Sequence, residues 1–195
     1  MRNKGFGGIV MATAVICEFN PFHNGHKYLL ESAKNVLKEP VIAIMSGSFT
    51  QRGEVAVCDK FVRAKSALEN GADLVLEMPV VFSLSGAEGF AKAGVAIASA
   101  FDCINHLAFG SESGDCELLK KSANAVCDER VQALVRDGMK NGGYYPHELE
   151  NAVKTVFGDE ISSVLCEPNN ILGVEYIKAL NGTGAVSYTH LTLPT

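Results

Sequence analysis

The chain has 195 residues, 47% of them hydrophobic and 20% charged, which suits one domain with a sizeable core and room for a small appendage. A net charge of −5 gives no overall basic footprint and so argues against a general nucleic-acid-binding face. No apolar run approaches the roughly 20 residues that span a bilayer, so no membrane partner is expected.

Cysteine usage points the same way. The six cysteines (Cys17, Cys58, Cys103, Cys116, Cys127 and Cys166) include no C-x-x-C pair, so a structural zinc is not expected and no metal ligands are assigned. Cys17 and Cys103 lie in apolar, strand-like runs, as buried free thiols do, and a reducing cytoplasm fits best. The N-terminal MRNKGFGGIVM lacks the apolar core and cleavage pattern of a signal peptide, and Met11 stands as an alternative start.

Taken in order, Thr13–Phe19 is expected to be the first strand, its apolar run Ala14, Val15, Ile16, Cys17 suiting a parallel sheet covered on both faces. A polar hinge, Glu18-Phe19-Asn20-Pro21-Phe22, closes it, since Pro21 cannot continue the ladder. His23-Asn24-Gly25-His26 then opens a helix over about Asn24–Leu37 that continues through Lys27, Tyr28, Leu29 and Leu30 and stops before Pro40. Val41–Met45 is the second strand, followed by a small-residue loop from Ser46 to Glu54, where parallel sheets place ligands. Asp59 is positioned to N-cap a helix through about Asn70, with Gly71 after it.

Asp73–Met78 is the third strand, and Ser85–Phe101 an Ala-rich helix weakened by Gly86, Gly89 and Gly94. Cys103–Phe109 is the fourth strand, ending in a second Gly/Ser loop, Gly110 to Asp115. This alternation predicts right-handed βαβ units in an α/β fold with a doubly wound, mostly parallel sheet. Beyond it, Cys116–Cys127, Arg130–Met139, Pro146–Phe157 and Ile171–Leu180 all look helical, with Gly142-Gly143 and a Pro168-Asn169-Asn170 turn as punctuation. The division expected is a nucleotide-binding core over 12–115, a helical extension completing it over 116–181, and a tail over 182–195 with weak strand character and no evident partner, read as non-native sequence.

The chemistry concentrates at the first strand–loop–helix junction. A helix N-terminus attracts phosphate through its unpaired N–H groups and its dipole. Two imidazoles three residues apart, with Gly25 permitting close backbone approach, suit a triphosphate held there, with charge developing on the α-phosphate stabilised by His23 and His26. The alternative for either histidine is a helix cap or a solvent-facing ring. Neither G-x-x-x-x-G-K-[ST] nor a G-x-G-x-x-G after the first strand is present, which leaves the histidine route for phosphate. Lys60, Arg63 and Lys65 form a local basic cluster, read either as phosphate contacts or as a solvated helix face.

Asn20-Pro21-Phe22-His23-Asn24-Gly25-His26 resembles the H-x-G-H signature of the nucleotidyltransferase superfamily, whose Rossmann-like fold is related to class I aminoacyl-tRNA synthetases. Five blocks in order, at 17–30, 45–57, 59–83, 108–115 and 168–180, are similar to the bacterial tRNA(Met) cytidine acetate ligases, so that the resemblance spans about Ala14 to Leu180. It implies an enzyme that activates acetate with ATP, releasing pyrophosphate, and passes the acetyl group from acetyl-adenylate to N4 of the wobble cytidine of elongator tRNA(Met). It also implies that Ile16 to Leu29 line the ATP site with His23 and His26 on the phosphates and Mg²⁺ on the β/γ-phosphates. Gly110 would let the nucleotide approach, and Asn169 or Asn170 would make a polar contact with it.

Arg52 and Lys60 are further candidates for phosphate or tRNA, while Glu18 is read either as orienting a ligand hydroxyl or as capping the strand end. The ligases so resembled are longer and continue into an arginine-containing nucleotide motif, so truncation near residue 182 is expected. A generic H-x-G-H adenylyltransferase and a non-catalytic nucleotide- or tRNA-binding fragment are the rival functions.

Overall fold

The computed structural model describes residues 11–183 and 189–194. The first half of the chain runs β1 (Ala12–Cys17), α1 (Asn24–Leu37), β2 (Val41–Ser46), α2 (Lys60–Glu69), β3 (Leu74–Met78), α3 (Val80–Ser83), α4 (Ala87–Ser99) and β4 (Ile104–Ser111). It continues through α5 (Cys116–Cys127), α6 (Glu129–Lys140), α7 (Tyr145–Phe157), α8 (Asp159–Ser163), a 3-10 turn (Val164–Cys166), α9 (Pro168–Thr183) and β5 (Thr189–Pro194). The five strands form one sheet of order β3-β2-β1-β4-β5, and every pairing is parallel.

Every residue of β1 and β2 is buried, because successive side chains serve opposite faces of the sheet. Val15, Cys17, Ala43 and Met45 face Leu30 and Ala33 of α1 and Ala67 of α2. Ala14, Ile16, Ile42 and Ile44 face the other way, toward Phe90 and Val95 of α4 and Val174 and Ile177 of α9. Each fully buried Val, Ile or Leu contributes about 1.5–3 kcal/mol, so two covered faces explain the unbroken apolar runs. Gly94 has a specific use here. A Cβ at that position would meet the Ile16 side chain at 2.6–2.8 Å, so glycine lets α4 lie close on β1. The helix weakness expected from Gly94 is the cost of that contact.

Strand order reverses between β1 and β4, since α1 leads from β1 to β2 on one face and α4 leads from β3 to β4 on the other. The crevice beyond the carboxyl ends of those two strands is where open α/β sheets bind ligands.

The doubly wound α/β sheet with a helical C-terminal part is as expected, as are α1, the Asp59 cap on α2 (accepting from Phe61 N–H at 2.8 Å) and α5. Three expectations need correction. Residues 189–194 are not partnerless, because they pair with His106–Ser111 as a fifth strand; the rest of the tail, 184–188 and Thr195, lies outside the described residues. Pro168-Asn169-Asn170 is not a turn before a helix but the first turn of α9 itself, Pro at the first helical position needing no N–H partner. Residues 80–83 and 159–166, to which the sequence assigned no element, carry short helices. Cys103 is half-buried, lying just before β4 rather than within it. No helix among the described residues is long and apolar enough to cross a membrane.

Candidate active site

Residues 18–23 carry the chain from β1 to α1. Phe19 adopts φ +50, a left-handed conformation uncommon for a bulky residue, and its ring is held by burial to 1% exposure against Phe22 and His26. His23 follows in extended conformation (φ −141, ψ 175) and N-caps α1. Its Nδ1 accepts the Gly25 N–H at 3.1 Å, while His26 Nδ1 accepts the His23 N–H at 3.3 Å. This is a capping box built from two imidazoles instead of a hydroxyl and a carboxylate.

The box fixes the rings and their protons together. They stack with centroids 3.6 Å apart and planes 25° apart. Partial burial, with the neighbouring His23 adding to it, lowers the His26 pKa from 6.5 to about 4, so His26 is neutral at pH 7. With Nδ1 of each ring accepting, the proton of each neutral ring belongs on Nε2, which leaves Nε2–H as the donor for a ligand. Gly25 serves the ring as well: a Cβ there would stand 3.0 Å from His23 Cε1. The close approach expected of Gly25 is therefore made first by the imidazole, which also takes the Gly25 N–H.

The opposite wall is built from β4 and α9. Glu112 Oε1 accepts from Asn169 N–H (3.2 Å) and Nδ2 (2.8 Å), and Oε2 accepts from Asn170 N–H (2.9 Å). A carboxylate from the β4 loop thus caps the N-terminus of α9, where the helix dipole favours it. Asn170, 3% exposed, turns inward and accepts from Ser111 Oγ (2.6 Å) and Ser113 N–H (3.1 Å).

Between these walls lies a cavity of about 690 Å³, within the range of small-molecule sites. Of the residues implied by the sequence, Ile16, Cys17, Glu18, Phe19, Asn20, His23, Asn24, Gly25, His26, Tyr28, Leu29, Gly110 and Asn169 line it. Pro21, Phe22, Lys27 and Asn170 do not. Phe22 backs Phe19 and His26, Lys27 lies 3.8 Å from Glu31 on the outer face of α1, and Asn170 is spent on the serines. Of the two asparagines, then, Asn169 borders the cavity, with Oδ1 left to accept because Nδ2 is engaged.

Five lining residues had no assigned role from the sequence: Gln51, Phe90, Phe109, Leu172 and Tyr176. Gln51 had a signal, since it belongs to the small-residue loop after β2. The aromatic and leucine positions look like ordinary core stripes and carry none. Burial raises the Cys17 thiol well above its ordinary value and also raises the Tyr176 hydroxyl, so both are neutral. Glu18 Oε1 accepts the Gln51 N–H at 2.5 Å, tying the loops after β1 and β2 together.

The basic cluster divides. Arg63 is 1% exposed and donates to the carbonyl oxygens of Cys58, Glu18, Ser46 and Gly47, so it is an internal brace rather than a phosphate contact. Lys60 pairs with Glu77 at 2.7 Å, and Lys65 lies 3.8 Å from Glu69. Arg52 is exposed in the loop after β2, outside the cavity lining. Among the described residues there is no group of three His, Cys, Asp or Glu side chains suited to a metal ion.

A doubly wound sheet whose switch-point crevice is edged by an H-x-G-H helix start defines a nucleotidyltransferase fold, and the sequence model of the HIGH Nucleotidyl Transferase family matches residues 10–188. The chain belongs to that family. It is 44% identical over 173 residues to the tRNA(Met) cytidine acetate ligase of Caldanaerobacter subterraneus subsp. tengcongensis, covering 87% of this chain and 43% of that protein. The ligase of Lysinibacillus sphaericus is 42% identical over 173 residues, 86% of this chain and 43% of its own. Thermotoga maritima TmcAL, in a crystal structure bound with alpha-thio ATP, superposes with a TM-score of 0.85 at 38% identity, over 93% of this chain and 46% of that one. This chain therefore spans less than half the length of the relatives it matches.

Proposed function

We propose that this chain carries the ATP-binding, adenylate-forming site of a tRNA(Met) cytidine acetate ligase. The observation that carries the proposal is the pairing of His23 and His26, each with Nδ1 engaged and Nε2 free to donate, at the edge of a switch-point cavity, in a chain about 40% identical to those ligases. An acetate oxygen attacks the α-phosphorus, the new O–P bond forms in line, and the α,β-bridging oxygen leaves with pyrophosphate. Both imidazoles donate to the α-phosphate oxygens on which charge develops, and being locked by the capping box they need no reorganisation. Asn169 Oδ1 accepts from the nucleoside, and the apolar floor of Phe90, Phe109 and Leu172 keeps water away from the acyl-adenylate.

Magnesium would arrive on the triphosphate, whose oxygens and waters are its usual ligands, and would shield the β/γ-phosphate charge. The acetyl carbonyl is then attacked by N4 of the wobble cytidine of elongator tRNA(Met), an N–C bond forms and AMP leaves; the cytidine must be unstacked to reach the cavity. The proposed tRNA substrate and the free cysteines support a cytoplasmic location.

The decisive test is acetate-dependent exchange of pyrophosphate into ATP. Replacing His23 and His26 together with alanine should lower it by roughly 10²–10³-fold or more, and unchanged exchange would remove the histidines from the mechanism. ATP that raises the melting temperature of the wild-type chain without releasing pyrophosphate would instead mark a nucleotide-binding unit that depends on further sequence for chemistry.

A further inference from the structure

One side chain that lines the cavity has no part in the proposed adenylation. Gln51 Nε2 is buried and has no hydrogen-bond partner among the described residues, although Gln51 lines the cavity. A buried amide N–H left unpaired is destabilising, and such groups in folded proteins usually have a ligand or water to satisfy them. Beside it stands an acceptor. The Gln51 main-chain N–H donates to Glu18 Oε1 at 2.5 Å, and among the described residues that is the bond found on the Glu18 carboxylate, which also lines the cavity.

Both loops are braced from behind. Arg63, 1% exposed, donates to the carbonyl oxygens of Glu18, Ser46 and Gly47, so the carboxylate and the amide are held in a fixed relation before any ligand enters.

We infer that Glu18 and Gln51 read the hydrogen-bonding edge of a nucleobase that carries an amino group beside an unprotonated ring nitrogen. The carboxylate accepts from the amino group and the Gln51 amide donates to the ring nitrogen. Adenine (amino N6, ring N1) and cytosine (amino N4, ring N3) share this pattern. Guanine and uracil, with a carbonyl beside a ring N–H, present its inverse and would set acceptor against acceptor and donor against donor. The two candidate sources, ATP and the acceptor cytidine, rest on the proposed reaction; the base preference itself does not.

Equilibrium binding to this chain tests it. ATP and GTP are titrated by calorimetry, and CMP and UMP in the presence of AMP by ligand-observed NMR. A preference of roughly ten-fold for the amino base is expected, lost in Gln51→Glu and inverted toward the keto base in the Glu18→Gln/Gln51→Glu exchange. If the lost preference is ATP over GTP, the edge read is adenine; if it is CMP over UMP, the edge is cytosine. Absence of both preferences in the wild type overturns the inference. So does their persistence in Gln51→Glu, or in Gln51→Leu should the first variant fail to fold. Acetate-dependent exchange by the wild type, run in parallel, separates the outcomes: its absence counts against the proposed reaction while the base preference stands or falls on the titrations.

Discussion

Two helix N-termini edge the cavity, and they are finished in opposite ways. That of α1 is capped by its own imidazoles, His23 and His26, which are exposed or half-exposed. That of α9 is capped by the Glu112 carboxylate reaching across from β4, with Asn170 buried behind it. A carboxylate already occupies the positive end of the α9 dipole, so that end offers a phosphate nothing. The imidazole-capped end keeps its dipole unneutralised and adds two Nε2–H donors. In the proposed reaction that difference favours α1 for the phosphates and gives α9 the role of shaping the nucleoside side of the cavity.

Breaking the α9 corner should have the largest effect on folding. Asn170→Ala would leave the Ser111 hydroxyl and the Ser113 N–H without their acceptor, at about 2–3 kcal/mol. Urea denaturation reads it, and a loss below 0.5 kcal/mol, on the order of a neutral surface change, would show that the corner is not the rigid side.

The α1 corner should instead reveal itself through pH. In the unfolded chain His26 takes a proton near 6.5, whereas in the folded chain it stays neutral down to about 4. Between these values unfolding binds a proton, so stability falls as pH drops through that window and the ring has no effect on stability above it. His26→Asn keeps a capping acceptor and should flatten this part of the profile, which melting temperatures at pH 7 and pH 5 would reveal. An unchanged slope would mean that His26 titrates normally in the folded state.

Smallest is the cap itself. His23→Ala removes one exposed acceptor from Gly25 N–H and should cost about 1 kcal/mol or less. Circular dichroism in denaturant measures it, and a loss as large as that of Asn170→Ala would erase the contrast between the two corners.

How much of this was legible in the chain depends on the span of the contacts. β1, β2 and α1 are written in apolar runs and a 3.6-residue stripe, and the capping box joins residues two and three apart, so the histidine pair was found from the sequence. The Glu112–Asn169 and Ser111–Asn170 bonds join residues 57 and 59 apart, and no local pattern assigns them. The choice between Asn169 and Asn170 was open for that reason, and Arg63 was grouped with surface lysines because its four carbonyl partners converge only after folding.

By itself, then, the sequence determined the alternation of strands and helices, the H-x-G-H helix start and the family, because each is set by residues close together in the chain. The tertiary structure alone decided that the strand order reverses between β1 and β4, that residues 189–194 add an edge strand, and that Gln51 and Tyr176 share a cavity with the histidines. The physical reason is that hydrophobic burial is non-directional and specifies which faces are covered, whereas which distant polar groups meet across a covered face is settled only when the layers pack.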